Sequence, residues 1–270
     1  MRSAAGALPA IVVVGGLSIA AFGGLVSNSL RPGAVLGGSY GTDAWERLLA
    51  DPTFIDALVF TVRAAVIATI ISVAISIPLA FALRRSNAAA RALVGFPIPV
   101  AHLVVASLLV LWMGPGGVLD RTIGTLPVVA DTFGWGVILV YVLKEVPFLT
   151  LLALAALSDE EARREEAART LGATRWRRWR AVLLPQLWSP MLLGSLVVSA
   201  FVIGSTEVPL IVGPLAPDAL TTWSITTIRI RGPIARADAA AALVVTSLIV
   251  LFLAGLSITI GLRKTRGSRR

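Results

Sequence analysis

Five stretches of this chain, each at least 20 residues long, contain no Asp, Glu, Lys or Arg: 3–30, 64–83, 92–119, 181–206 and 239–262. A bilayer core about 30 Å thick takes about 20 mostly apolar helical residues to cross. Backbone polar groups in hydrocarbon must be satisfied internally, so runs of this length fold as membrane-spanning helices. A sixth stretch, about 133–157, is interrupted only by Lys144 and Glu145. The expected fold is therefore all-α integral membrane, with six transmembrane helices near 8–28, 58–83, 93–113, 133–157, 187–211 and 239–262. Composition agrees, since 14% of residues are charged, where a soluble domain has about a quarter.

Absences narrow the chemistry. With no cysteine, disulfides, thiol catalysis and cysteine-ligated metals are excluded. One histidine, His102, cannot build a histidine metal site or triad, and it reads as a packed or hydrogen-bonded helix residue. No cofactor and no metal is expected. The net charge of +9 comes largely from 22 arginines lying between apolar runs, which points to membrane anchoring and away from nucleic acid. With the N-terminus inside, 16 Lys and Arg fall in inner segments and seven in outer ones, so both termini are expected in the cytoplasm of a multi-pass plasma (inner) membrane protein. The first apolar run exceeds the 7 to 15 residues of a signal-peptide core and lacks a clear cleavage site, so it is read as a retained span.

Segment 29–52 is Gly-rich and then amphipathic from Trp45 to Leu49, which suggests a short external helix at the membrane interface. Gly-Pro punctuation near 114–117 and 213–217 marks helix ends. The organisation expected is 1–53, an N-terminal transmembrane helix with the external amphipathic segment; 54–265, a core of five transmembrane helices; and 266–270, a basic cytoplasmic tail.

One inner loop differs from the rest. Residues 158–186 hold five acidic and seven basic side chains in a chain otherwise poor in charge. Ala, Glu, Arg and Leu favour helix, and Ser158 with Glu161 has the form of a capping box. Gly172 suits a helix stop of positive φ, with a second helix starting near Thr174. On it Trp176, Trp179 and Val182 recur at three-residue steps. The expectation is a helix-turn-helix at the membrane surface, ended by Pro185. From charge and periodicity alone, a solvated connector with interfacial tryptophans fits as well.

The residues themselves carry more. Glu166-Ala167-Ala168, three residues, Gly172, nine residues, then Val182-Leu183-Leu184-Pro185 resembles the EAA motif of ABC transporter permeases, the MetI-like inner-membrane components of binding-protein-dependent type I ABC importers. The family pattern has Ile where Val182 stands. The resemblance covers roughly 55–265, with one extra span ahead of it. It implies that the loop is a coupling helix docked in a cleft of a separate ATPase, with Glu166 as polar contact, Ala167 and Ala168 allowing close approach, Gly172 making the turn, and Leu184 and Pro185 closing the motif. The implied partners are an ATP-binding cassette ATPase dimer, a second permease subunit, homo- or heterodimeric, and an extracytoplasmic substrate-binding protein. The chain contains no G-x-x-x-x-G-K-[ST] phosphate loop, so ATP hydrolysis belongs to a partner and the chain is not expected to be an enzyme.

Ionisable groups inside spans are costly and are functional candidates. Lys144 and Glu145 lie near mid-membrane about 100° apart on their helix, so they cannot face one point. One of them facing the pathway or the paired subunit, and a structural ion pair with another helix, are both open. Glu207, at the outer end of the fifth span within Gly204-Ser205-Thr206-Glu207, suits an outer vestibule or simply a wet helix end. A secondary transporter would want coupling-ion residues and internal repeats, and a membrane enzyme would want clustered acidic or His groups; neither pattern is found. The second span and GSTEVPLIVGP look more like the polyamine, thiamine, ferric-iron, oxyanion or phosphonate branch of the importers than the sugar branch.

Overall fold

The computed structural model describes residues 2–31, 40–124, 126–157 and 166–267. Its elements are α1 (Arg2–Ser29), α2 (Asp43–Ala50), α3 (Pro52–Leu83), α4 (Ala88–Gly95), α5 (His102–Met113), α6 (Val118–Ile123), α7 (Trp135–Ala156), α8 (Arg175–Arg178), α9 (Leu184–Gly204), α10 (Glu207–Val212), α11 (Leu220–Arg231) and α12 (Arg236–Gly267). Residues 166–170 add one helical turn before α8. Six stretches among the described residues are long and apolar enough to cross a membrane: Val12–Ser29, Pro52–Leu83, His102–Ile123, Trp135–Ala156, Leu184–Gly204 and Leu220–Gly261.

Several expected boundaries move, each for a local reason. The run expected to span from residue 93 is broken. α4 ends at Gly95 and α5 starts only at His102, because Pro97 and Pro99 lack the N–H groups a helix needs there. The fifth span stops at Gly204 instead of 211. Ser205 is extended, with ψ 141°, and a new short helix starts at Glu207. α11, not anticipated as an element, precedes the last span. The Ser158–Glu161 capping box lies outside the described residues.

The chain divides into two compact units, Met1–Phe60 with Pro217–Ile249, and Thr61–Ala216 with Val250–Arg270. In the first unit, the α3 start is built by its own sequence. Pro52 takes the first helical position, and the Asp51 carboxylate accepts from the Thr53 amide at 2.9 Å and the Thr53 hydroxyl at 2.7 Å. Trp223 Nε1 donates to Thr53 Oγ1 at 2.9 Å, and Arg231 pairs with Asp51 at 3.1 Å. Burial works to raise the Asp51 carboxyl, but the Thr53 and Arg231 hydrogen bonds outweigh it and hold its pKa below the ordinary value. α2 packs its apolar face, with Leu48 buried, into a cluster with Phe54, Leu220, Trp223 and Ala241. Arg47 reaches Asp238 at 2.7 Å. The amphipathic segment expected at the membrane interface thus turns its apolar face to other helices.

In the second unit the C-terminal ends of α3 and α7 and the start of α9 close around Ala80, Ala153, Leu157, Leu183, Leu187 and Met191. Close approach at the start of α7 requires glycine. A Cβ on Gly136 would lie 2.5 Å from the Val128 carbonyl oxygen and 2.5 Å from Val212 Cγ1. A backbone oxygen cannot swing aside, so Gly136→Ala is expected to destabilise by about 1–3 kcal/mol. Gly255→Ala, in open space on α12, should be neutral or mildly stabilising. Thermal unfolding of both variants in detergent checks the pair, and equal melting temperatures would contradict the packing described.

Candidate functional site

The motif loop is assembled by local chemistry. Gly172 has φ +78°, the left-handed region that favours glycine. Around it the Ala173 N–H donates to the Ala168 carbonyl at 3.0 Å and the Gly172 N–H to the Arg169 carbonyl at 3.0 Å, the paired bonds of a Schellman helix stop. The next helix is capped by Thr174, whose hydroxyl accepts from the Arg177 N–H at 3.3 Å. Arg178 Nη1 donates to the Ala173 carbonyl at 3.1 Å across the turn. Glu166 and Arg169 pair at 2.6 Å on the exposed face of the preceding turn.

Trp176 and Trp179 stack with ring centroids 5.0 Å apart. Leu171 is 88% exposed and Trp176 64%. Ala167 is exposed and Ala168 half-buried. A turn that presents Leu and Trp to its surroundings, beside small residues and a charged rim, has the composition of a docking surface.

The loop does not end at Pro185. α8 runs into a π-helical turn, Trp179–Leu183, and then into α9, with Pro185 in the first turn of that helix. The Leu184 N–H donates to the Trp179 carbonyl, five residues back. This shift of register restarts the ladder where proline supplies no N–H, so the expected stop becomes a continuation. Leu184 is half-buried and Pro185 exposed at the junction. From Arg175 to Gly204 the chain is unbroken helix, about 45 Å at 1.5 Å per residue.

Lys144 and Glu145 are both buried and point to different partners. Lys144 Nζ donates to the carbonyls of Pro97 at 2.7 Å and Ile98 at 3.0 Å, and also to that of Val100. All three ammonium N–H groups are thus used on carbonyls in the gap between α4 and α5, of which that of Pro97 also accepts from the Val100 N–H at 3.2 Å. Glu145 Oε1 meets His102 Nε2 at 3.2 Å. The imidazole packs on Phe201, centroids 4.7 Å apart, and lies 6.1 Å from the Tyr141 ring. The two prolines in an uncharged run were the sequence signal for this latch. The pairing of His102 with Glu145, 43 residues apart, had no such signal.

Glu207 is exposed at the first residue of α10, where a carboxylate suits the helix N-terminus. A cavity of about 490 Å³ is lined by Ala200, Phe201 and residues 204–207. Phe201 therefore stands between this cavity and the His102–Glu145 pair. Among the described residues no group of three His, Cys, Asp or Glu is placed to hold a metal ion.

Residues 63–265 match the family described as the binding-protein-dependent transport system inner membrane component. The chain is 29% identical over 163 residues to the sulfate transport system permease protein CysW of Escherichia coli strain K12, covering 58% of this chain and 55% of that protein. It is 26% identical over 162 residues to the molybdenum transport system permease protein ModB of the same strain, covering 58% of this chain and 70% of ModB. It spans about half the length of CysW. A bacterial alginate ABC transporter, solved in complex with an alginate pentasaccharide-bound periplasmic protein, matches with TM-score 0.71 over 94% of both chains at 20% identity, a likeness of fold. With the family pattern running from residue 63 to 265 through five of the six spans, the chain belongs to the binding-protein-dependent transport system inner membrane components, the multi-pass inner-membrane permeases of ABC importers.

Proposed function

We propose that this chain forms the substrate pathway of an ABC importer and couples it to a separate ATPase. It works as one of two permease subunits bound to an ATPase dimer, and an extracytoplasmic binding protein delivers the solute. The observation that carries this reading is the unbroken helix from Arg175 to Gly204. A push on the Gly172 turn is passed along this continuous helix, through its π turn and Pro190, to the break at Ser205, where the Glu207 cavity opens. Glu166, Ala167, Ala168, Gly172, Leu184 and Pro185 carry the coupling. Glu207 faces the path of the solute. Glu145 sits one aromatic layer behind it, and Lys144 holds the α4–α5 break that shapes the wall.

The cargo is a small solute of the polyamine, thiamine, ferric-iron, phosphonate or related oxyanion kind. The names of the relatives, sulfate and molybdenum permeases, support the oxyanion end of that range. Uptake by the reconstituted complex, with the binding protein loaded in turn with molybdate, sulfate, spermidine and an oligosaccharide, decides among these and the sugar-importing alternative. Concentrative uptake by the chain alone in liposomes without ATP would favour a secondary transporter and remove the proposal.

Both termini lie on the ATPase side in this reading. Because the chain has no cysteine, single-cysteine labelling is clean. A cysteine at Ala216 should react with an impermeant maleimide added outside intact cells, and one at Ala173 should react only after lysis. The opposite pattern would reverse the topology.

A further inference from the structure

We infer that the cleft beside the motif loop is a binding site for the headgroup of an anionic phospholipid, held by Arg84 and Arg85 at the end of α3 and by Arg178 across from them. The cleft has a volume of about 900 Å³ and is lined by residues from the end of α3 and from the 169–183 segment. Four of its lining residues are arginines, Arg84, Arg85, Arg169 and Arg178, and none of the described lining residues is acidic. Arg169 also pairs with Glu166, Arg178 also donates to the Ala173 carbonyl, and Arg84 too has an interaction within the chain. The remaining wall is apolar: Pro78, Phe81 and Ala82 from the last turns of α3, Leu183, and the stacked Trp176 and Trp179.

Position chooses the ligand. α3 is a membrane span ending at Leu83, so Phe81 lies at acyl-chain depth and Arg84 and Arg85 lie at headgroup depth. Arginine forks bind phosphate oxygens bidentately, and tryptophan pairs favour the same interfacial layer. An apolar floor continuous with a basic rim accommodates one molecule bearing both an acyl chain and a phosphate diester; a soluble phosphate would leave the half-buried Phe81 and the exposed Ala82 and Trp176 uncovered. On the topology proposed above this rim faces the cytoplasmic leaflet, where anionic lipids gather and basic pockets between helices bind their headgroups. An acidic surface of the ATPase subunit would meet the outward-facing Leu171 and Trp176 edge before it reached Phe81.

The test uses the full chain purified in detergent, by native mass spectrometry, titrating phosphatidylglycerol against phosphatidylcholine of matched acyl chains. Wild type should retain phosphatidylglycerol in preference. R84Q/R85Q should weaken that retention by ~25-fold, roughly fivefold for each arginine at the surface, and leave phosphatidylcholine unchanged. R121Q/R229Q, which removes two exposed arginines elsewhere, should leave the preference intact. Equal loss in both double variants would reduce the effect to general charge attraction and overturn the site. No preference in wild type, as when the chain's own acidic residues 158–165 satisfy the arginines, overturns it as well. Displacement of the lipid by millimolar inorganic phosphate would assign the cleft to a soluble anion, and displacement by the ATPase subunit would assign it to the subunit interface. None of these readouts depends on uptake, so the site can fail while the transport proposal stands, and the reverse.

Discussion

Gly172→Pro is expected to lower ATP-driven uptake by at least tenfold while leaving the chain inserted and abundant. Proline holds φ near −65°, where the turn has +78°, and it removes the N–H that Gly172 donates to the Arg169 carbonyl. A local penalty of about 3 kcal/mol is then relieved by redirecting the short helix that follows. The substituted turn itself lies outside the spans, so their insertion should be kept. Glu166→Arg separates partner contact from fold. In the isolated chain it removes only an exposed Glu166–Arg169 pair, of the kind worth about 0–1 kcal/mol. A large loss of uptake in that variant therefore reports a lost contact with the ATPase, whose copurification should fall in parallel. Uptake and copurification of the reconstituted complex are measured together for both variants. Wild-type values for both quantities in both variants would remove the coupling role and leave a surface connector.

Lys144→Met should cost most of the folded protein. Methionine matches the length of lysine but gives no donor to the carbonyls of Pro97, Ile98 and Val100. The Pro97 carbonyl keeps the Val100 N–H as a donor at 3.2 Å, so two acceptors lose theirs; at about 1–3 kcal/mol each when lipid replaces water, that comes to ~2 kcal/mol or more, a large part of the stability of any domain. Lys144→Arg should fall between, because a planar fork cannot converge on three carbonyls as an ammonium does. Glu145→Gln keeps an oxygen toward His102 and should stay within about 1 kcal/mol of wild type. Thermal unfolding and size-exclusion profiles in one detergent rank the three. Full stability of Lys144→Met would mean that the latch is not needed to hold the α4–α5 break, and the pathway reading of Lys144 would gain.

The motif loop was legible because its rules are local. Gly172 as a left-handed stop and Thr174 as the start of the next helix follow from residue type, and the Trp176–Trp179 stack follows from a three-residue step. Pro185 was misjudged as a terminator because proline is equally at home in the first turn of a helix. Which role it takes depends on whether the preceding turn can shift its hydrogen bonds, as the π turn over Trp179–Leu183 does.

By itself the sequence determined that the chain has six stretches long and apolar enough to cross a membrane, and that the charged loop between the fourth and fifth of them carries the motif. Each of these depends on run length, residue type or spacing along one segment, and a bilayer makes such rules strict by leaving backbone groups no water to bond. Only the tertiary structure decided where Lys144 and Glu145 point, that His102 is Glu145's partner, and that α2 buries its Leu48 against Phe54, Leu220 and Trp223. Those outcomes turn on which helices pack side by side. In an apolar chain every face of a helix is hydrophobic, so periodicity cannot name the neighbour, and shape and the few buried polar groups make the choice.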